Sequence, residues 1–165
     1  MGYYTLPYDA DGNCCPTCPV VQSCDECTTV GICDAGSPCL GSQNSVTVNI
    51  TGIGTIVVPF FSGAGHPWEW KTTLSDGTQI LLDIFCFTAP NILVNFFIEC
   101  FTPSTKVTEW QQVIPASTLT CNAGTGKFTG TISLNPSMLS TNACNPNVCF
   151  CTGTVPLANV TSLTF

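Results

Sequence analysis

The chain has 165 residues, only 8% of them charged, with three lysines (Lys71, Lys106, Lys127), no arginine and a net charge of -7. That excludes a nucleic-acid partner, which needs a basic footprint. No apolar run reaches the ~18 residues of a membrane-spanning helix, because Asp83, Asn91, Asn95 and Glu99 interrupt the richest stretch.

Thirteen cysteines approach the density of a disulfide scaffold. A surface built mainly from Ser, Thr, Asn and Gln suits close packing against neighbours, because few ions have to be desolvated. The opening MGYYTLPYDADGNCC has neither a basic n-region nor an apolar h-region, so no secretory signal is expected. The cysteines nevertheless point to an oxidising setting. A trimmed signal, metal-bound cysteines, or a protein that leaves the cytosol at lysis as virion proteins do would each reconcile the two. Met1 followed by a small residue favours the last, so a virion or extracellular location is expected.

Residues 1–44 read as a loop-like arm. Cys14, Cys15, Cys18, Cys24, Cys27, Cys33 and Cys39 lie here with Asp9, Asp11, Asp25, Glu26 and Asp34, and no apolar period is present. Such a segment needs covalent or metal staples. Cys15, Cys18, Cys24 and Cys27 form two Cys-x-x-Cys pairs suited to zinc, although the gap between the pairs is short for a zinc ribbon. A disulfide framework also employs Cys14, Cys33 and Cys39 and is the preferred reading; free thiols are the third. Adjacent Cys14 and Cys15 should staple two different places. Asp9-Ala-Asp11-Gly12-Asn13 resembles the start of a calcium loop, but Val20 stands where the closing Glu belongs, so a solvated turn is expected.

From Ser45 onward the pattern is strand after strand. Val46, Val48 and Ile50 alternate with Thr47, Asn49 and Thr51. A Gly-Ile-Gly break at 52–54 leads into Thr55–Phe61, where Pro59 predicts an edge position or a bulge. After the turn SGAGHP, Trp68, Trp70, Thr72 and Leu74 share one face and Glu69, Lys71 and Thr73 the other. Asp76-Gly77 closes a hairpin into 78–87, TAPN at 88–91 closes the next, and Thr102–Lys106 leads into Val107–Ile114. Further strands are predicted at Lys127–Leu134, Val148–Val155 and Val160–Phe165. Eight or nine short strands and no helical period predict an all-β domain over 45–165, an antiparallel β-sandwich or barrel. Its core is expected in the hairpin of 75–101, whose Phe85, Phe87, Phe96, Phe97, Ile98 and Phe101 fall on both faces.

The cysteines of this region are Cys86, Cys100, Cys121, Cys144, Cys149 and Cys151. Symmetric pairing about TAPN puts Cys86 near Leu93 and Cys100 near Gln79, roughly 23 Å apart, too far to bond. Each is expected to reach Cys121, Cys144 or the Cys149/Cys151 pair, whose side chains share a face by strand alternation. The odd total leaves at least one thiol unpaired within the chain or bonded between chains.

No catalytic set is present. His66, the only histidine, sits in GAGHPW without a nucleophile elbow. A glycosidase-like pair would have to come from Glu69, Asp76, Asp83, Glu99 and Glu109, of which Asp76 belongs to its turn. Trp68, Trp70 and Trp110 would form a ligand-stacking platform if exposed, but core packing is the stronger reading. The sequons Asn49-Ile-Thr51 and Asn159-Val-Thr161 fall in predicted strands and are read as chance occurrences.

Across 45–165, the ladder Trp68/Trp70, Cys86, Cys100, Trp110, Cys121, Phe128, Cys149/Cys151 and Leu163-Thr164-Phe165 resembles, in spacing, small cysteine-rich all-β proteins of planctomycete-type bacteria and phage-like sequences. The resemblance brings no active site and favours a surface or virion structural protein. The expected function is therefore a non-enzymatic assembly subunit, a virion decoration, cement or tail-associated protein, with its arm lying on a neighbour. Its partners would be itself or a capsid or tail, and zinc in the arm is the sole cofactor candidate. A secreted adhesin or carbohydrate-binding module is the alternative.

Overall fold

A computed structural model describes residues 39, 41–61, 68–87, 90–102 and 105–165. Twelve strands follow in order: β1 (Val46–Ile50), β2 (Gly54–Val58), β3 (Trp68–Thr73), β4 (Gln79–Cys86), β5 (Asn91–Cys100), β6 (Lys106–Pro115), β7 (Leu119–Asn122), β8 (Lys127–Ser133), β9 (Leu139–Asn142), β10 (Asn147–Phe150), β11 (Gly153–Pro156) and β12 (Val160–Thr164). They form one sheet in the order β2-β1-β12-β8-β7, a second in the order β3-β4-β5-β6-β9, and the separate hairpin β10-β11. Every pairing is antiparallel. The protein is a β-sandwich.

Alternation explains how the two sheets meet. In the first sheet Val46, Val48, Ile50, Val58, Phe128, Ile132 and Leu163 point inward; in the second, Trp68, Trp70, Ile80, Leu82, Ile84, Ile92, Val94, Phe96, Ile98 and Trp110 do. Trp68 meets Phe128 edge-on at 5.0 Å, and Trp70 meets Phe165 at 5.3 Å, tying the layers together. Such aromatic pairs contribute about 0.5–1.5 kcal/mol each beyond area burial.

The β4–β5 hairpin is the centre of the second sheet, as expected, but its register differs by one residue. Cys86 pairs with Ile92 and Gln79 with Glu99. Directly opposed residues of an antiparallel pair must share a face. Pairing even with even is what places Ile80, Leu82 and Ile84 on the same face as Ile92, Val94, Phe96 and Ile98; a one-residue slip would turn one of the sets toward solvent. The apolar pattern thus overrides the geometry suggested by the turn.

Pro59 marks a change of sheet. β2 is an edge strand that stops at Val58, and the chain then lies beside β3, with Lys71 N donating to Pro59 O at 3.1 Å and Phe61 N to Glu69 O at 2.7 Å. A residue that cannot donate is placed where only its carbonyl is used.

Twelve strands replace the eight or nine expected. The predicted Val148–Val155 strand is a hairpin turning at Cys151-Thr152, and β7 and β9 are four-residue strands too polar to show alternation. Short 3-10 turns at Ala116–Thr118, Pro136–Met138 and Leu157–Asn159 introduce β7, β9 and β12.

Three disulfides join described residues: Cys39–Cys121, Cys100–Cys151 and Cys144–Cys149, with Cα separations of 5.8, 5.1 and 5.7 Å. Cys86 is also disulfide-bonded. Cys86 and Cys100 do not bond to each other, and Cys100 reaches Cys151 as expected. Cys86, however, cannot take any of the expected partners, because Cys121, Cys144, Cys149 and Cys151 are all occupied. Cys149 and Cys151 go to different partners because β10 ends at Phe150 and strand alternation stops with it. Cys39, from the arm, is buried in the core, and Gln43 is buried beside it.

The remaining arm cysteines, including the zinc candidates Cys15, Cys18, Cys24 and Cys27, lie outside the described residues, as do Asp9–Asn13 and His66. Among the described residues no helix is long and apolar enough to cross a membrane. The disulfides fit an oxidising, non-cytoplasmic setting.

Candidate functional site

Trp68, Trp70 and Trp110 are 0%, 0% and 1% exposed. The Trp68 indole donates to Cys39 O at 2.7 Å and the Trp70 indole to Asn44 O at 2.6 Å, while Trp110 packs on Phe96 at 5.4 Å. No indole face reaches solvent, so the ligand-stacking platform is replaced by core packing: inward positions of the central strands bury the largest side chains and turn their N–H groups to carbonyls.

The carboxylates do not form a catalytic pair. Asp76 Oδ1 accepts from Thr78 N at 2.9 Å, and Oδ2 accepts from Thr152 N at 3.2 Å and Thr152 Oγ1 at 2.9 Å. Burial pushes its pKa up, but the hydrogen bonds from Thr78 and Thr152 together outweigh this, and the net shift is downward. Asp83, 6% exposed, stands directly opposite Glu69 on the outer face of the second sheet. Burial pushes the Glu99 pKa up; Lys71 partly offsets that and Glu109 adds to it. Among the described residues no group of three or more His, Cys, Asp or Glu side chains is arranged to hold a metal.

What the sandwich offers instead is two broad outer faces. On the first sheet, cross-strand register builds two rows: Val57, Thr47, Thr164 and Thr131, and beside it Thr55, Asn49, Ser162 and Ser133. Neighbouring residues in a row are about 4.8 Å apart along the hydrogen-bonding direction. Asn49 Nδ2 donates to Ser162 Oγ at 3.1 Å and Thr164 Oγ1 at 3.4 Å, linking the rows. Thr120 and Thr129 extend the array toward β7. Lys127, at its margin, donates its ammonium to Ser42 O. Val57 is 60% exposed at the edge, with Ile53 and Phe61 nearby in sequence also about half exposed.

The outer face of the second sheet is different. Its rows are Phe85, Leu93 and Val113; Glu69, Asp83, Asn95 and Gln111; and Lys71, Leu81, Phe97 and Glu109. Two apolar bands thus flank a polar one.

The first face has no group able to move a proton near neutral pH, so its chemistry is that of packing and hydrogen bonding. Its individual positions were visible in the sequence as the polar half of each alternating strand. Their grouping was not, because it depends on β12 lying between β1 and β8. No protein-family model, curated protein or solved structure matches the chain.

Proposed function

We propose that this chain is a non-enzymatic structural subunit that assembles with copies of itself or with a larger particle, in the manner of a virion decoration, cement or tail-associated protein. The observation that carries this reading is the outer face of the first sheet, where the eight cross-strand positions on β2, β1, β12 and β8 hold no ionisable side chain. An interface there buries hydroxyls, amides and methyl groups without stranding a charge, and interface centres are generally depleted in charge. The disulfides support the same reading, because a subunit outside the cell depends on slow unfolding rather than on replacement. The carbohydrate-binding alternative loses its support with the burial of Trp68, Trp70 and Trp110.

Sedimentation velocity on the oxidised protein over a wide concentration range, with and without particles from its source, tests the proposal. Self-association or co-sedimentation is expected, and Thr47→Glu with Thr131→Glu should weaken it at least tenfold while leaving the unfolding midpoint nearly unchanged. A monomer at every concentration that binds no particle would sink it.

A further inference from the structure

We propose that residues 1–38 fold back onto the outer face of the second sheet of their own chain, held by a disulfide between Cys86 and one of Cys14, Cys15, Cys18, Cys24, Cys27 and Cys33. Cysteine accounting supplies the first argument. Seven of the 13 cysteines are described; six pair among themselves, and the seventh, Cys86, is disulfide-bonded. Its partner must be one of those six.

Connectivity makes the bond reachable. Cys39 O lies 2.7 Å from the indole nitrogen of Trp68, so the chain preceding it leaves beside the start of β3. Trp68 pairs with Ile84, and Cys86 is two residues beyond, about 7 Å along β4. Cys33 precedes Cys39 by six residues, a reach of about 20 Å, so even the nearest cysteine of the segment can span the gap. The bond forms as the other three do, two thiols losing two protons and two electrons to dioxygen or to an external disulfide.

The face itself calls for cover. Phe85, Leu93 and Val113 form one apolar band and Leu81 and Phe97 another, in the middle of a five-stranded sheet. Asp83 between them is only 6% exposed although it stands on the outer side. The segment brings Tyr3, Tyr4, Leu6 and Tyr8 among its apolar side chains. Charge does not assist: the segment carries Asp9, Asp11, Asp25, Glu26 and Asp34, and the face carries Glu69, Asp83, Glu99 and Glu109 against Lys71 alone. The contact is therefore apolar, and the covalent tether keeps it at high local concentration. Five segment cysteines then remain, so at least one is left without an intrachain disulfide, and it lies in this segment.

Non-reducing digestion and mass spectrometry of the full chain, with a mixed ¹⁴N/¹⁵N sample to separate intrachain from interchain bonds, should find the Cys86 peptide joined to a peptide of 1–38 from the same chain. A free Cys86 thiol, or a bond to another copy, would overturn the proposal. Cys86→Ser should raise oxidative footprinting of Leu93 and Phe97 severalfold and speed proteolysis within 1–38 at least tenfold. If that variant does not fold, Leu93→Glu, which keeps the tether but spoils the face, should speed the same proteolysis. Unchanged proteolysis in every folded variant would overturn docking on this face even with the bond present. Neither result depends on self-association, so the assembly proposal stands or falls separately.

Discussion

Asp76 and Thr152 are joined across two turns: the carboxylate in the β3–β4 turn accepts from both the backbone and the hydroxyl of Thr152 in the β10–β11 turn, at 3.2 and 2.9 Å. Thr78 completes the link, its hydroxyl accepting from Cys151 N at 2.8 Å. Beside it, the Cys100–Cys151 disulfide binds the same turn to the end of β5. The β10–β11 hairpin belongs to neither large sheet, so these bonds hold it in place.

Asp76→Ala should cost about 1–2 kcal/mol, less than buried charged bonds would, because the site is partly solvated. The folded-state pKa is lowered, so this stabilisation is present above the ordinary carboxylate range and is lost as pH falls through the folded pKa. Urea denaturation of wild type and variant should show the difference shrinking on acidification; a constant difference from pH 7 to pH 2 would refute the carboxylate's role.

Gln43 locks the described part of the arm to β8. Its amide nitrogen donates to Cys39 O, Gly41 O and Gly126 O at 2.8, 3.0 and 3.2 Å, and its oxygen accepts from Phe128 N at 2.8 Å. Gln43→Ala strands these buried groups and should cost about 2–4 kcal/mol. Gln43→Glu sets a carboxylate against three carbonyls, which raises its pKa in the folded state. Its penalty should therefore be larger at pH 7 than at pH 4, and equal penalties at both would contradict the bonding pattern.

The disulfides should rank by the loops they close. The Cys39–Cys121 bond spans 82 residues and Cys144–Cys149 spans 5. Chain entropy assigns about 4.5 and about 2 kcal/mol respectively. Paired serine substitutions at each bridge, compared by thermal or urea unfolding, should reproduce that order; the reverse order would mean that strain or unfolded-state structure dominates.

Gly130 sits at φ 141°, and a Cβ there would lie 2.8 Å from Thr118 O and 3.1 Å from a Leu119 methyl carbon. The backbone of the turn before β7 cannot yield cheaply. Gly130→Ala should cost about 2–3 kcal/mol, and an unfolding midpoint equal to wild type would show that the β7–β8 hairpin relaxes freely.

Much of the fold was legible as alternation. Strands with long apolar stripes, β1, β3, β4 and β5, stand where the pattern places them, and the pattern rather than the TAPN turn sets the β4–β5 register. β7 and β9 were hidden because Thr, Ser and Asn make up most of their residues. The uncharged face was hidden because its rows come from strands more than 100 residues apart, as Thr47 and Thr164 show.

One pair of segments separates what local chemistry decides from what the whole fold decides. Residues 116–130 and 136–150 run through the same succession of 3-10 turn, four-residue strand, four-residue turn and strand. They share Ser117/Ser137, Leu119/Leu139, Asn122/Asn142 and Ala123/Ala143 at a spacing of 20. Asn122 Oδ1 accepts from Gly124 N at 3.0 Å, and Asn142 Oδ1 accepts from Cys144 N at 3.0 Å. These bonds join residues two positions apart, so the sequence alone determines them. Yet β7 pairs with β8 in the first sheet, while β9 joins β6 in the second and β10 leaves to pair with β11. Phe128 enters the core against Trp68, whereas Val148, Cys149 and Phe150 are buried in succession, so β10 is covered on both faces. Which partner a short strand takes depends on where its apolar side chains find cover, and that was settled only when the two sheets closed.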